Sequence, residues 1–112
     1  MFFKDFTGHI KQKELVRQLV DRNNVPHAQI IFGSEGVGKL PFVRALCSYL
    51  LCTDKLSGDS CGQCAACIKS HKMIHPDIHF TFPTVGTNVT SNQMIKSWRN
   101  QQLENPFMVY TD

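Results

Sequence analysis

A chain of 112 residues that is 42% apolar and 19% charged is long enough for one small core and too apolar to be disordered. No apolar run approaches the roughly 20 residues that span a bilayer, and the opening Met1-Phe2-Phe3-Lys4-Asp5-Phe6 lacks the long apolar stretch and small-residue cleavage site of a secretory leader. The formal charge of +3 permits contact with nucleic acid without predicting it.

Residues 8–23 show the helical period, with Ile10, Leu15, Val16, Leu19 and Val20 recurring and charged residues falling between them. Asn23-Asn24 and Pro26 stop that helix. Residues 28–32 (Ala-Gln-Ile-Ile-Phe) are short, apolar and β-prone, and they run straight into the loop Gly33-Ser34-Glu35-Gly36-Val37-Gly38-Lys39-Leu40. Residues 39–51 form the next predicted helix, with Leu40, Val43, Leu46, Cys47 and Leu50 on its apolar face. Pro41 is tolerated there because the first helical turn has no i−4 bond to lose. A cysteine run follows, then a short helix over 65–72 closed by His75-Pro76. A second strand is predicted over 78–82, where Ile-His-Phe-Thr-Phe alternates until Pro83. After a polar loop over 84–90, Ser91 is expected to cap a last helix containing Met94, Ile95, Trp98 and Leu103, ended by Asn105-Pro106. The order β, loop, α, knuckle, β, α predicts an α/β class: the beginning of a nucleotide-binding core of parallel strands with helices. Two parallel strands do not make a stable sheet, so the chain is expected to be part of a longer protein.

The cysteine run is Cys52-x8-Cys61-x2-Cys64-x2-Cys67. This spacing suits one tetrahedral ion, whose thiolates converge at about 2.3 Å from a tight turn. Gly58, Gly62 and the small Ala65 and Ala66 let the backbone bend around it. With no leader, a reducing cytoplasm is the expected compartment, where structural zinc is favoured over disulfides or free thiols. Four protein thiolates leave no open position for catalysis. Cys47 belongs to a helix face and is expected in the core, not as a fifth ligand. His71 and His75 lie near enough in sequence to replace a cysteine, but with four present a surface or turn role is favoured.

The glycine loop has the frame of a phosphate-binding loop, G-x-x-x-x-G-K-[ST], with its last position changed. Gly33, Gly36, Gly38 and Lys39 are the candidate nucleotide-binding residues, but Leu40 has no oxygen to hold Mg²⁺. Productive Mg²⁺-nucleotide hydrolysis is therefore not expected, and ATP binding is doubtful. A vestigial loop is favoured over a working ATPase and over a glycine-rich turn with no ligand. An anion could still settle at the helix N-terminus.

No Ser/His/Asp or paired-carboxylate constellation is suggested by spacing, and no catalytic residue is assigned. Glu35 reads as solvated and His27 as a structural hydrogen-bonder. Lys69, Lys72, Lys96 and Arg99 are scattered, which favours a solvated surface over a DNA track.

Taken with Pro26-His27-Ala28-Gln29, the Gly33…Gly38-Lys39 frame, the cysteine quartet, His75-Pro76-Asp77 and the opening Phe6-x-Gly8-His9, the chain resembles the N-terminal part of bacterial sliding-clamp loader subunits, the AAA+ proteins of the DNA polymerase III holoenzyme. The resemblance covers essentially the whole chain. Leu40-Pro41 and the segment 75–83 look most like the delta-prime type of subunit. That likeness implies a stator that does not hydrolyse ATP and supports the loader placing the sliding clamp on primed DNA, with gamma/tau and delta subunits as partners. It also implies that Walker B, sensors, arginine finger and collar domain lie beyond Asp112. In the family's sheet the first two strands are not neighbours, so this chain alone is expected to be partly disordered or to self-associate. Two rivals remain: the ATP-hydrolysing gamma/tau motor subunit, and a stand-alone zinc-knuckle binding module.

Overall fold

The computed structural model describes residues 1–5, 7–56, 58–86 and 89–106. Phe6 and residues 107–112, on which parts of the sequence reading fall, lie outside them. A short 3-10 turn at Phe3–Asp5 precedes four helices: α1 (Ile10–Asp21), α2 (Lys39–Leu51), α3 (Ala65–His71) and α4 (Ser91–Glu104).

The N-terminal turn, α1 and α3 all pack on α2. Pro41, Phe42, Arg44, Ala45, Leu46, Ser48 and Tyr49 are buried, so α2 is covered on most of its faces. The core joins Met1, Phe3, Val16, Phe42, Ala45, Leu46 and Tyr49, with Val20 packed against it. Phe3 meets Phe42 and Tyr49 edge-on, with ring centroids at 6.1 and 5.7 Å. The Tyr49 hydroxyl donates to the Asp21 carboxylate, tying α2 to the end of α1.

The helical expectations agree closely with the structure, because each helix satisfies its own backbone locally. α2 has the expected bounds, and α1 and α3 differ from theirs by one or two residues at the ends. In α1, however, Ile10 and Leu15 are 78% and 58% exposed while Val16 is buried. Only part of the apolar stripe faces α2. The cap of α4 is Thr90, one residue before the expected Ser91. The Gln93 side chain accepts from the Thr90 amide at 3.0 Å, so a Thr-x-x-Gln box sets the start.

The two expected strands are the main correction. Among the described residues there is no strand, and the single bridge joins Leu56 to Asp59 inside the cysteine loop. Residues 28–32 and 78–82 form no ladder with each other or with any other described segment. A strand, unlike a helix, needs a second segment for its hydrogen bonds. Ile30 and Phe32 are consequently 86% and 87% exposed. Residues 78–82 instead serve α4: Trp98 stacks on Phe82 with centroids 4.5 Å apart and an interplanar angle of 10°, and packs on Phe80 at 5.2 Å. Arg99 Nε donates to the Met73 carbonyl at 2.9 Å and fastens α4 to the end of α3. No helix among the described residues is long and apolar enough to cross a membrane.

Candidate metal centre and glycine loop

α2 delivers its C-cap, Cys52, directly into the knuckle, and α3 begins from its N-cap, Cys64. Between them the chain turns back through the Leu56–Asp59 bridge and through Gly62, which holds φ 77°. The result brings all four predicted cysteines together, with their Sγ atoms within 4.8 Å of one another. Cys61 and Cys67 Sγ are 3.9 Å apart. Sulfurs at about 2.3 Å from a common ion stand about 3.8 Å from each other, so the donor set fits tetrahedral zinc. No disulfide joins any of the five cysteines in this structure.

Backbone amides point at the sulfurs. Cys52 Sγ accepts from the Asp54 and Cys61 amides at 3.4 and 3.3 Å, Cys61 Sγ from Gln63 and Cys64 at 3.4 and 3.3 Å, and Cys64 Sγ from Cys67 at 3.4 Å. Hydrogen bonds from the backbone of Thr53 and Cys67 hold the Cys64 thiol down to about 5. Burial pushes the fully enclosed Cys67 thiol up to about 12. A divalent cation removes that conflict, because it takes the place of the protons that keep neighbouring sulfurs neutral.

Cys47 stands apart from this group on α2, where burial raises its thiol pKa. Neither histidine replaces a cysteine. His71 Nδ1 lies 3.2 Å from the Met1 amine, and His75 Nδ1 accepts from the Asp77 amide at 3.1 Å.

Sequence reasoning missed the cover on the knuckle. The Phe2 ring lies over Gly62 and meets His71 edge-on at 4.5 Å. Asp59 binds the N-terminal turn, with Oδ1 accepting from the Phe3 amide at 3.1 Å and Oδ2 from Lys4 at 3.3 Å. A β-carbon on Gly62 would sit 2.6 Å from Phe2 Cζ, whereas one on Gly8 (φ 80°) meets nothing within 4 Å. Gly8→Ala is thus expected to cost about 1 kcal/mol of backbone strain alone, and Gly62→Ala about 2–4 kcal/mol, because the clash adds to it. Thermal melts of the zinc-loaded variants check this, and equal shifts for the two would refute the Phe2 contact.

The glycine loop precedes α2, with Gly36 and Gly38 at φ 80° and 87°. Lys39 Nζ donates to the Gly33 carbonyl at 2.9 Å, so the lysine closes back over the loop. His9 Nε2 contacts the Val37 carbonyl at 2.9 Å from the start of α1, a link that sequence spacing could not reveal. His9, Phe32, Val37, Lys39 and Phe42 help to line a cleft of about 250 Å³ here. Leu40 lies half-buried in the first turn of α2.

A family model described as DNA polymerase III, delta subunit, matches residues 8–109. The DNA polymerase III subunit delta' of Pseudomonas aeruginosa is 33% identical over 66 residues, covering 59% of this chain and 20% of that protein. The subunit delta' of Escherichia coli is 36% identical over 62 residues, covering 55% and 19%. The subunit gamma/tau of Mycoplasma pneumoniae is 31% identical over 65 residues, covering 58% and 9%. The chain spans roughly a fifth or less of the length of these curated relatives. No solved structure matches it significantly.

Proposed function

The chain belongs to the DNA polymerase III delta-subunit family, and from that premise we propose that it serves as a non-hydrolysing, stator-like subunit of the clamp loader, of the delta-prime type. The observation that carries this reading is Leu40. It occupies the first turn of α2, where a Mg²⁺-dependent loop needs a hydroxyl, and it offers only carbon. Lys39, folded onto Gly33, keeps the shape of the loop without a metal-binding neighbour.

On this reading residues 1–112 are the glycine-loop part of a longer AAA+ domain, whose sheet supplies the pairing that residues 28–32 and 78–82 do not find here. The partners are the other clamp-loader subunits, and through them the sliding clamp and primed DNA, in the cytoplasm. The cysteine quartet holds a structural zinc. A stand-alone zinc module is disfavoured, since α2 alone connects the glycine loop to Cys52 and buries its faces against the rest of the chain.

The relatives include both delta' and gamma/tau subunits, so the motor subunit is the second reading. Calorimetric titration with Mg²⁺-ATP distinguishes them. The parent protein is expected to show no Mg²⁺-dependent binding, and Leu40→Thr to gain at least about tenfold in affinity, the equivalent of one charge-assisted contact. Tight Mg²⁺-dependent binding by the parent would transfer it to the nucleotide-responsive class.

A further inference from the structure

We propose that the cleft between the N-terminal turn, α1 and the cysteine knuckle is a separate binding site for a phosphate group. The cleft measures about 420 Å³, ample for a phosphate and its neighbours. Three cations line it, Lys4 from the turn and Lys13 and Arg17 from α1, against the Asp59 carboxylate and the edge of the knuckle at Cys61. That carboxylate is already engaged: Oδ1 accepts from the Phe3 and Ser60 amides at 3.1 and 2.9 Å, and Oδ2 from Lys4 at 3.3 Å.

Two of the cations are seated on aromatic rings. The Arg17 guanidinium lies over the Phe3 ring at 5.1 Å and Lys4 Nζ over the Phe2 ring at 4.6 Å. Arg17 reaches one carboxylate, Glu14, at a long 3.8 Å through a terminal nitrogen, and its buried Nε has no acceptor among the described residues. Ser60, which also lines the cleft, is 4% exposed, and its hydroxyl has no partner among them either. Buried donors are normally satisfied, so two unmet donors at one cationic cleft point to an acceptor-rich ligand. A carboxylate carries a single charge, whereas a phosphate with several acceptor oxygens matches a guanidinium and two ammonium groups.

None of these cations makes a described hydrogen bond to a knuckle sulfur; the hydrogen bonds described for the sulfurs come from backbone amides or from another thiol. This cleft is separate from the glycine loop, because none of residues 33–40 lines it.

The test is an amide NMR titration of the zinc-loaded full-length protein with inorganic phosphate, pyrophosphate and a single-stranded oligodeoxynucleotide. Saturable shifts are expected at Lys4, Arg17 and Ser60, and they should persist in Lys39→Ala, in which the glycine loop is disabled. Arg17→Gln is expected to weaken binding about tenfold or more, the loss of one charge-assisted contact. Lys13→Gln, at a half-exposed position of α1, should weaken it several-fold with unchanged zinc content, which keeps the test valid if Arg17→Gln unfolds. Tighter, salt-sensitive binding of the oligonucleotide would identify a polynucleotide backbone as the source, and binding of the small anions alone a free phosphate compound. Shifts confined to Gly36, Gly38 and Lys39, no shifts at all, or equal binding of succinate would each overturn the proposal. In the second case the three cations merely balance the charge of the zinc-bound thiolates.

Discussion

Cys67→Ser is expected to abolish zinc uptake and to melt α3 with it. Cys67 is fully buried, its sulfur is one of the four converging donors, and its amide caps α3 through Cys64 Sγ. α3 has seven residues, too few to persist as a helix without tertiary support. Structural zinc supplies about 10–16 kcal/mol in small cysteine-rich sites at neutral pH, comparable to the whole stability of a domain of this size. Serine keeps the shape but offers no thiolate. The measurement is zinc stoichiometry with the cobalt–thiolate charge-transfer band of the Co²⁺-substituted protein, alongside circular dichroism. One zinc per chain is expected for the parent and for Cys47→Ser, whose thiol lies outside the cluster, and none for Cys67→Ser. Retention of one tightly held zinc by Cys67→Ser would sink the four-cysteine site.

Phe3→Ala should be nearly as damaging to the rest of the core. The ring is completely buried and meets Phe42 and Tyr49, so its loss removes the contact between the N-terminal turn and α2. Truncating a buried phenylalanine costs about 3–5 kcal/mol, and in a chain of this length each kcal/mol lowers the melting midpoint by roughly 4–8 °C. Ile30→Ala is the informative control. At 86% exposure it should stay within about 0.5 kcal/mol of the parent. A loss for Ile30→Ala comparable to that for Phe3→Ala would mean that residues 28–32 are covered in the folded protein, as a strand within a sheet would be.

What could be read directly from the chain was whatever rests on near neighbours in sequence. The x2 intervals of Cys61, Cys64 and Cys67 dictate a turn that gathers sulfurs, and the structure gathers them. α2 was legible to its end residues because its hydrogen bonds and its apolar period both repeat within four positions. Leu40, the residue on which the functional reading turns, needs no structure to be recognised as lacking a hydroxyl.

What only the tertiary structure decided depends on residues far apart. Asp59 takes the amides of Phe3 and Lys4 across more than 50 positions, and His9 reaches Val37 across 28. Arg17 and Ser60 share a cleft that no spacing rule places together. The strands expected over 28–32 and 78–82 are absent among the described residues for the same reason. Alternation and β-branching state that a segment suits a sheet, but a ladder exists only where another segment presents its amides, and composition carries no record of where that segment lies. Helices and metal knuckles satisfy their polar groups within a few residues and so are written locally. Sheets, covers and clefts are satisfied at a distance, and the folded chain alone assigns their partners.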